Sequence, residues 1–357
     1  MARAISNSLC PKDWVRGKAV GNGSFGIVNL AMNRSTGKLF VVKSSRSGMG
    51  LQSLKNEADI LESLNSPYIV RSLGHEAVDK AGSQQEFNLF MEYMAGGSLL
   101  DIVEKFGGAL DESVIRSYTR EILKGIAYLH RNDIVHCDIK CKNVLLGSSG
   151  NIKLADFGCA RRLGGSSEVD ACSKNSSQFS GGTPLWMAPE ILKNEGVGFL
   201  SDIWSLGCTV IEMATGRPPW TDEVSNPMTA VYKIACCDDL PKLPSGFSNE
   251  GLDFLGKCLQ KDPKKRWNAE QLLNHPFITG GWNQMCLKEA SWSPTSVLHA
   301  GSRGNWPLDK LESPTEEDIS TWRPFLMQSE ISKKLRRMCS KQIDLQATEG
   351  WIEVRSG

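Results

Sequence analysis

No apolar run among these 357 residues approaches the roughly 20 needed to cross a bilayer, so a transmembrane helix is not expected. The N-terminus lacks the long apolar core of a signal peptide. Ala2 stands where myristoylation needs glycine, and the terminal Val-Arg-Ser-Gly offers no cysteine for prenylation. Charge of one sign is missing too. The 41 Lys+Arg against 40 Asp+Glu leave +1, which creates no field to draw the chain to nucleic acid or to a membrane surface. The 11 cysteines form no pair of CxxC steps that would cage zinc, and Cys208 and Cys258 sit inside apolar helical text. An odd, scattered set reads as reduced thiols, so the expected place is the cytoplasm, the nucleus or both. The length allows a large core and, taken alone, two domains.

What is present centres on residues 136–158. His136-Cys-Asp-Ile-Lys-Cys-Lys-Asn-Val-Leu-Leu is followed, after a polar turn, by Asp156-Phe-Gly. An apolar helical run (Ile122, Ile126, Leu129) leads in, and Val144–Leu146 and 151–155 read as two short strands around Gly147-Ser-Ser-Gly. The loop carries an acid (Asp138), a cation (Lys140) and an amide (Asn143). Asp156 returns beside them on the other arm of the hairpin. Two carboxylates and an amide suit a divalent cation that takes oxygen ligands and keeps contact with phosphates.

Upstream, the text alternates as strands do from Trp14, through Val20-Gly21-Asn22-Gly23-Ser24-Phe25-Gly26-Ile-Val28 and on to Val41-Val-Lys43. Glycines let a hairpin backbone press close to phosphates, and Lys43 supplies a point charge for them. Strands on both sides of this motif argue against a dinucleotide-binding strand–helix unit. Residues 51–64 carry Leu54, Ala58, Leu61 and Leu64 at helical spacing, with Glu57 beside the apolar stripe and able to face Lys43. Taken singly, Lys43 or Glu57 would read as a solvated surface charge. Residues 87–94 read as a strand that runs into Ala95-Gly96-Gly97, after which the text turns helical over 98–106 and 111–131.

Beyond Gly158, residues 159–182 are rich in Ser and Gly and poor in apolar residues, the composition of a mobile segment. It ends at Gly182-Thr183-Pro-Leu-Trp-Met-Ala-Pro-Glu190. An apolar helix follows, with Ser201 or Asp202 expected as its cap, and then helices over 227–236 and 249–260. Residues 279–357 differ, with scattered Trp, two Ser-Pro steps, an acidic patch and the basic cluster Lys333–Arg337. They read as a regulatory tail, partly disordered and helical around 327–340.

The order and spacing of these motifs from Trp14 to Ile278 resemble a protein kinase catalytic domain. Asp138-Ile-Lys140 and Gly182-Thr183-Pro resemble the serine/threonine variant. Gly182-Thr-Pro-Leu-Trp-Met-Ala-Pro-Glu and Cys258-Leu-Gln-Lys-Asp-Pro resemble the MEK-kinase branch of mitogen-activated protein kinase kinase kinases. His136-Cys-Asp-Ile-Lys and Phe157-Gly-Cys-Ala-Arg are most similar to its compact plant members. The resemblance implies an α+β, bilobal fold: a lead-in over 1–13, a β-rich N-lobe with one helix over 14–94, and a mainly helical C-lobe over 95–278. It also implies ATP and Mg2+ as cofactors and MAP kinase kinases as protein substrates. The STE20-like kinases, one tier higher, share much of this text. A pseudokinase scaffold would be favoured by loss of Lys43, Asp138, Asn143 or Asp156, and all four are present.

Carried over residue by residue, Asp138 would orient the substrate hydroxyl and accept its proton, and Lys140 would steady the phosphoryl group. Asn143 and Asp156 would hold magnesium, and Lys43, held by Glu57, would bind phosphates. Val20 to Gly26 would cover the nucleotide. Val28, Val41, Met91 and Leu145 would enclose adenine, whose edge would meet the backbone of Glu92 to Met94. Thr183 would help place the hydroxyl. Glu190–Arg266, Asp202 and His136 would be scaffold. Two positions depart from the common pattern: Cys137 replaces Arg, and Val41 replaces Ala. Within the tail, Arg336-Arg-Met-Cys-Ser-Lys-Gln-Ile343-Asp-Leu345 resembles the docking peptides of cascade kinases.

Overall fold

The structure, a computed structural model, describes residues 5–6, 11, 13–23, 26–46, 48–80, 84–164, 182–221 and 227–280. Ser24, Phe25, the serines between 166 and 180 and the tail from 281 onward lie outside the described residues, and for Asn22 and Gly23 only the backbone is described.

The first half forms a six-stranded antiparallel sheet. Its strands are β1 (Ile5–Ser6), β2 (Trp14–Gly23), β3 (Gly26–Asn33), β4 (Leu39–Ser45), β5 (Ser72–Lys80) and β6 (Gln84–Glu92), in the order β1-β5-β6-β4-β3-β2. Alternation along β4 decides what each face does. Phe40 and Val42 join Ala31, Phe90 and the edge-on ring of Trp14 in a small core on one face. Val41 looks the other way, into the main core with Leu54, Ala58 and Leu61 of helix α1 (Gly48–Glu62). Lys43, two residues on, shares that inward face. A buried cation there needs a carboxylate, and α1 supplies it.

The chain leaves β6 through Gly96, whose N–H donates to Leu146 O at 2.9 Å. A Cβ at Gly96 would stand 2.7 Å from Leu146 Cβ, so a side chain there would push the crossing strand away. The second half has two small sheets, made of β7 (Gly97–Ser98), β9 (Val144–Leu146) and β10 (Ile152–Leu154), and of β8 (Ile134–Val135) with β11 (Arg161–Arg162). Helices α2 (Leu99–Lys105), α3 (Glu112–Arg131), α4 (Pro189–Leu192), α5 (Phe199–Thr215), α6 (Pro227–Cys236), α7 (Asn249–Cys258), α8 (Ala269–Leu273) and α9 (Pro276–Thr279) make up the rest.

Helix α3 buries the stripe Ile115, Ile122, Ile126 and Leu129, as its apolar spacing requires. Helix α5 is buried on every side from Ser201 to Met213 and forms the axis of this lobe. Its start corrects the expected cap. The helix opens after Gly198, with Ser201 Oγ bonded to both the N–H and the C=O of Gly198, while Asp202 points away to other work. The cysteines divide as well. Cys137, Cys141, Cys159, Cys208, Cys237 and Cys258 are free thiols, whereas Cys236 is disulfide-bonded, against the expectation of a wholly reduced set. No helix among the described residues is long and apolar enough to cross a membrane.

Candidate active site

Strand β8 delivers the chain into the loop 136–143, and Asp202 of α5 fixes it from below. Its Oδ2 accepts the N–H of His136 at 2.9 Å and its Oδ1 the N–H of Cys137 at 2.9 Å. His136 is fully buried, with Nδ1 accepting the Asp138 N–H at 3.3 Å and Nε2 3.1 Å from Ala155 O. An Nδ1 that accepts leaves Nε2 to carry the proton, so this ring is a brace with a fixed tautomer. Its ring centroid lies 4.7 Å from that of Phe157, the two planes tilted by 56°, which ties the loop to the segment after Asp156.

The loop presents Asp138, whose carboxylate is met from three sides. Thr183 Oγ1 donates to Oδ1 at 2.7 Å, Asn143 Nδ2 donates to Oδ2 at 2.8 Å, and Lys140 Nζ stands 3.0 Å from Oδ2. Lys140 also donates to Thr183 Oγ1 at 2.5 Å. Burial works against the Lys140 charge, but the carboxylates of Asp138 and Asp156 outweigh it and hold the ammonium above the ordinary lysine range.

Lys43 links the lobes across the cleft. Its Nζ lies 2.6 Å from Glu57 Oε2 and 2.8 Å from Asp156 Oδ1. Burial disfavours its charge, yet the two carboxylates prevail and push the group up, so Lys43 is a cation. Burial pushes Glu57 upward against the pull of Lys43. Asp156 is also desolvated, but Lys43 brings it below the usual carboxylate range and keeps it ionised. Asp156 adopts φ 65, the left-handed region that costs a non-glycine residue energy. Glu57 Oε1 accepts the N–H of the next residue, Phe157, at 3.2 Å.

Above these charges the strands bring together the expected apolar set. Val41 is paired with Met91, and Val28 with both Gly21 and Lys43, so Val28, Val41 and Met91 share the cleft-side face of the sheet. Met94 is buried, Leu145 is half-buried from below, and Val20 is exposed. The Glu92 carboxylate is occupied elsewhere, accepting the Arg71 N–H at 2.7 Å and Lys153 Nζ at 2.6 Å, and its backbone N–H donates to Arg71 O at 3.1 Å. Gly26 is required by packing, since a Cβ there would stand 2.5 Å from Ser44 O. Gly21 meets only ordinary van der Waals contacts, so packing does not require glycine there.

The donor set fits a magnesium–phosphate group. Asn143 commits its nitrogen to Asp138 O and Oδ2, both at 2.8 Å, which leaves the amide oxygen for a cation. Asp156 is an ionised carboxylate beside it. Among the described residues no cluster of three or more His, Cys, Asp or Glu could hold a metal by itself. Two protein oxygens completed by phosphate and water are what Mg2+ accepts.

Scaffold residues lie below. Arg266 forks onto Glu190 with bonds of 2.6 and 2.7 Å and also reaches Leu200 O and Gln260 O. The sequence reading missed Glu212. This buried carboxylate on α5 accepts the Cys141 N–H at 2.9 Å and Trp186 Nε1 at 3.0 Å, joining the loop to the turn after Thr183. The signal was there, in one acid inside the apolar run Cys208-Thr-Val-Ile-Glu-Met. Lys153 carried no such signal, because an exposed lysine and a hinge lysine look alike in sequence.

Comparison with known proteins agrees with this geometry. Residues 14–278 match the protein kinase domain family. Mitogen-activated protein kinase kinase kinase 18 of Arabidopsis thaliana is 39% identical over 316 residues, covering 87% of this chain and 89% of that protein. Mitogen-activated protein kinase kinase kinase 17 of the same plant is 42% identical over 269 residues, covering 75% and 70%. Mitogen-activated protein kinase kinase kinase A of Dictyostelium discoideum is 41% identical over 296 residues, which is 80% of this chain and 30% of that protein.

Proposed function

This chain belongs to the protein kinase family, and from that premise we propose that it is a mitogen-activated protein kinase kinase kinase, using ATP to phosphorylate serine or threonine hydroxyls of MAP kinase kinases. The observation that carries the reading is Lys43 held between Glu57 and Asp156 while Asp138 stands ready beside Lys140 and Thr183. The relatives are named for this tier, and nothing favours the STE20-like alternative.

Bound ATP-Mg2+ supplies the phosphoryl group and neutralises the charge that grows on its oxygens. Lys43 holds phosphate oxygens, and Asn143 and Asp156 hold the metal. The Asp138 carboxylate orients the incoming hydroxyl and takes its proton. Lys140 lies between Asp138 and Thr183, where it offsets negative charge on the group in transfer. Thr183, by donating to Asp138, places the substrate-facing turn in register with the base. Val28, Val41, Met91, Met94 and Leu145 exclude water around the base of the nucleotide.

The pattern Arg336–Leu345 is read as a docking peptide for the substrate kinase, with its cations on an acidic groove and Ile343 and Leu345 in pockets. A cytoplasmic or nuclear location is part of this proposal and rests on the mostly free cysteines among the described residues. The experiment is to incubate purified protein with ATP-Mg2+ and a panel of inactive MAP kinase kinases, with Asp138→Asn as control. Transfer to at least one of them that the control lacks supports the reading, and transfer to none overturns the tier. Deleting 330–357 without loss of partner binding disposes of the docking peptide.

A further inference from the structure

Asp156 is strained, and the groups that hold the strain come from one helix. A non-glycine residue at φ 65 persists only where its surroundings over-determine it. The backbone after it forms a tight turn, Phe157–Cys159, and then strand β11. Glu57 takes the Phe157 N–H, but the carbonyls of that turn are held by its neighbour in sequence. Asn56 Nδ2 donates to Ala160 O at 3.0 Å and to Phe157 O at 3.4 Å. Both partners are carbonyl oxygens, which only accept, so the atom facing them is the amide nitrogen.

The spacing on α1 makes this a seam. Asn56 and Ile60 fall at i and i+4 on one face, and Ser63 follows in the turn just past the end of the helix. Ile60 is buried, and Ser63 Oγ receives a bond from Arg162 Nη2. This helix and the turn that ends it therefore grip residues 157–162 at both ends. Strand β11 passes the same position on to β8, where Arg161 pairs with Val135, the residue just before His136.

We propose that Asn56 is a positioning residue for Asp156: by holding the carbonyls of Phe157 and Ala160 it keeps the metal-facing carboxylate in its strained conformation and makes it move with α1. This deepens the kinase reading and rests on it. Glu57 reports the position of α1 to Lys43 through charge, whereas Asn56 reports it to the backbone after Asp156 through neutral hydrogen bonds. Without the amide, the Asp156 peptide is free to relax toward ordinary φ, which swings its carboxylate off the cation site and leaves Lys43 with Glu57.

The test compares wild type with Asn56→Asp, which puts an acceptor against two carbonyls, and Asn56→Ala, which removes the group. Binding of a non-hydrolysable ATP analogue is titrated with and without Mg2+, alongside melting temperature and steady-state kinetics. Two neutral hydrogen bonds support an expected loss on the order of tenfold in the tightening that Mg2+ gives, with Mg2+-free binding unchanged. The Mg2+ concentration for half-maximal activity should rise in step. Parallel weakening with and without Mg2+, or an unchanged Mg2+ increment, overturns the proposal. If Asn56→Asp does not fold, the Asn56→Ala titration decides alone. Wild type that shows no Mg2+-dependent nucleotide binding defeats the kinase reading itself.

Discussion

Cys137 and Asp202 are joined by a bond from the backbone N–H of the first to Oδ1 of the second, at 2.9 Å, with Cys137 held at φ 66. The cysteine side chain takes no part in that brace, since Sγ lies 3.7 Å from Val135 O. Burial pushes the Cys137 thiol well up, so it is neutral. The loop that carries Asp138 is thus set by a buried carboxylate, with no cation at 137 waiting for a phosphate. Activity should therefore depend little on phosphates at Ser166, Ser167, Ser173, Ser176, Ser177 and Ser180. The check is steady-state activity after phosphatase treatment and in the variant with all six changed to Ala. A loss of a hundredfold or more in both sinks the idea.

Lys43→Met and Asp156→Ala each remove one arm of the charge group that spans the cleft. Positioned charge carries much of the rate in such chemistry, so kcat should fall by at least about 10²–10³. Circular dichroism should show the fold retained. Near-normal transfer by either variant means the phosphate and metal roles are misplaced.

Val41 is buried opposite Met91, and its methyl groups narrow the space under Val28. Val41→Ala should admit bulkier adenine-site inhibitors, with a gain of about 1–3 kcal/mol where the gap is well filled. A size series of one inhibitor scaffold, read as Kd, checks it. Flat affinities mean that β4 shifts to close the gap.

Arg266→Ala leaves Glu190 as a buried carboxylate without its fork. Breaking such a pair from one side costs about 3–5 kcal/mol. Arg266→Lys should recover only part of this, because an ammonium cannot bond both oxygens at 2.6 and 2.7 Å while reaching Leu200 O. Urea unfolding gives both numbers. Full recovery by lysine shows that charge alone is enough here.

Burial pushes Glu212 above its ordinary range, so the folded chain holds this proton more tightly than the unfolded one. From about pH 4.5 upward the group therefore subtracts stability, and the loss grows until pH passes the folded value. Glu212→Gln keeps an oxygen for Cys141 N–H and Trp186 Nε1 but does not ionise. Its melting temperature relative to wild type should rise as pH climbs above about 4.5 and level off once pH has passed the raised folded value. A difference that stays flat or falls shows that Glu212 ionises as freely folded as unfolded.

Much was legible in the sequence because it is local. The alternation from Trp14 to Lys43 predicts strands, the spacing of Leu54, Ala58 and Leu61 predicts the helix that carries Glu57, and the polar turn at Gly147 predicts the hairpin that returns Asp156 toward Asp138. Periodicity and turn chemistry act over a few residues, and the sequence displays them directly. The acids, amides and cations of the site were legible for a second reason: burying such groups is costly, so their recurrence at fixed spacing between apolar stretches marks a site.

Tertiary structure alone decided which partner each group meets. In sequence Asp202 reads as a helix cap or, by the resemblance, as a brace for the catalytic loop; only the burial of α5 beneath that loop sets its carboxylate on two backbone N–H groups 65 and 66 residues away. Nothing in the sequence marks Asn56 or Lys153. Packing of α1 on the turn after Asp156, and of β10 beside Glu92, puts each in reach of acceptors distant in the chain. A hydrogen bond is fixed by distance and angle within a few tenths of an ångström. Such geometry between remote segments exists only after the core has closed, and no spacing rule along the chain encodes it.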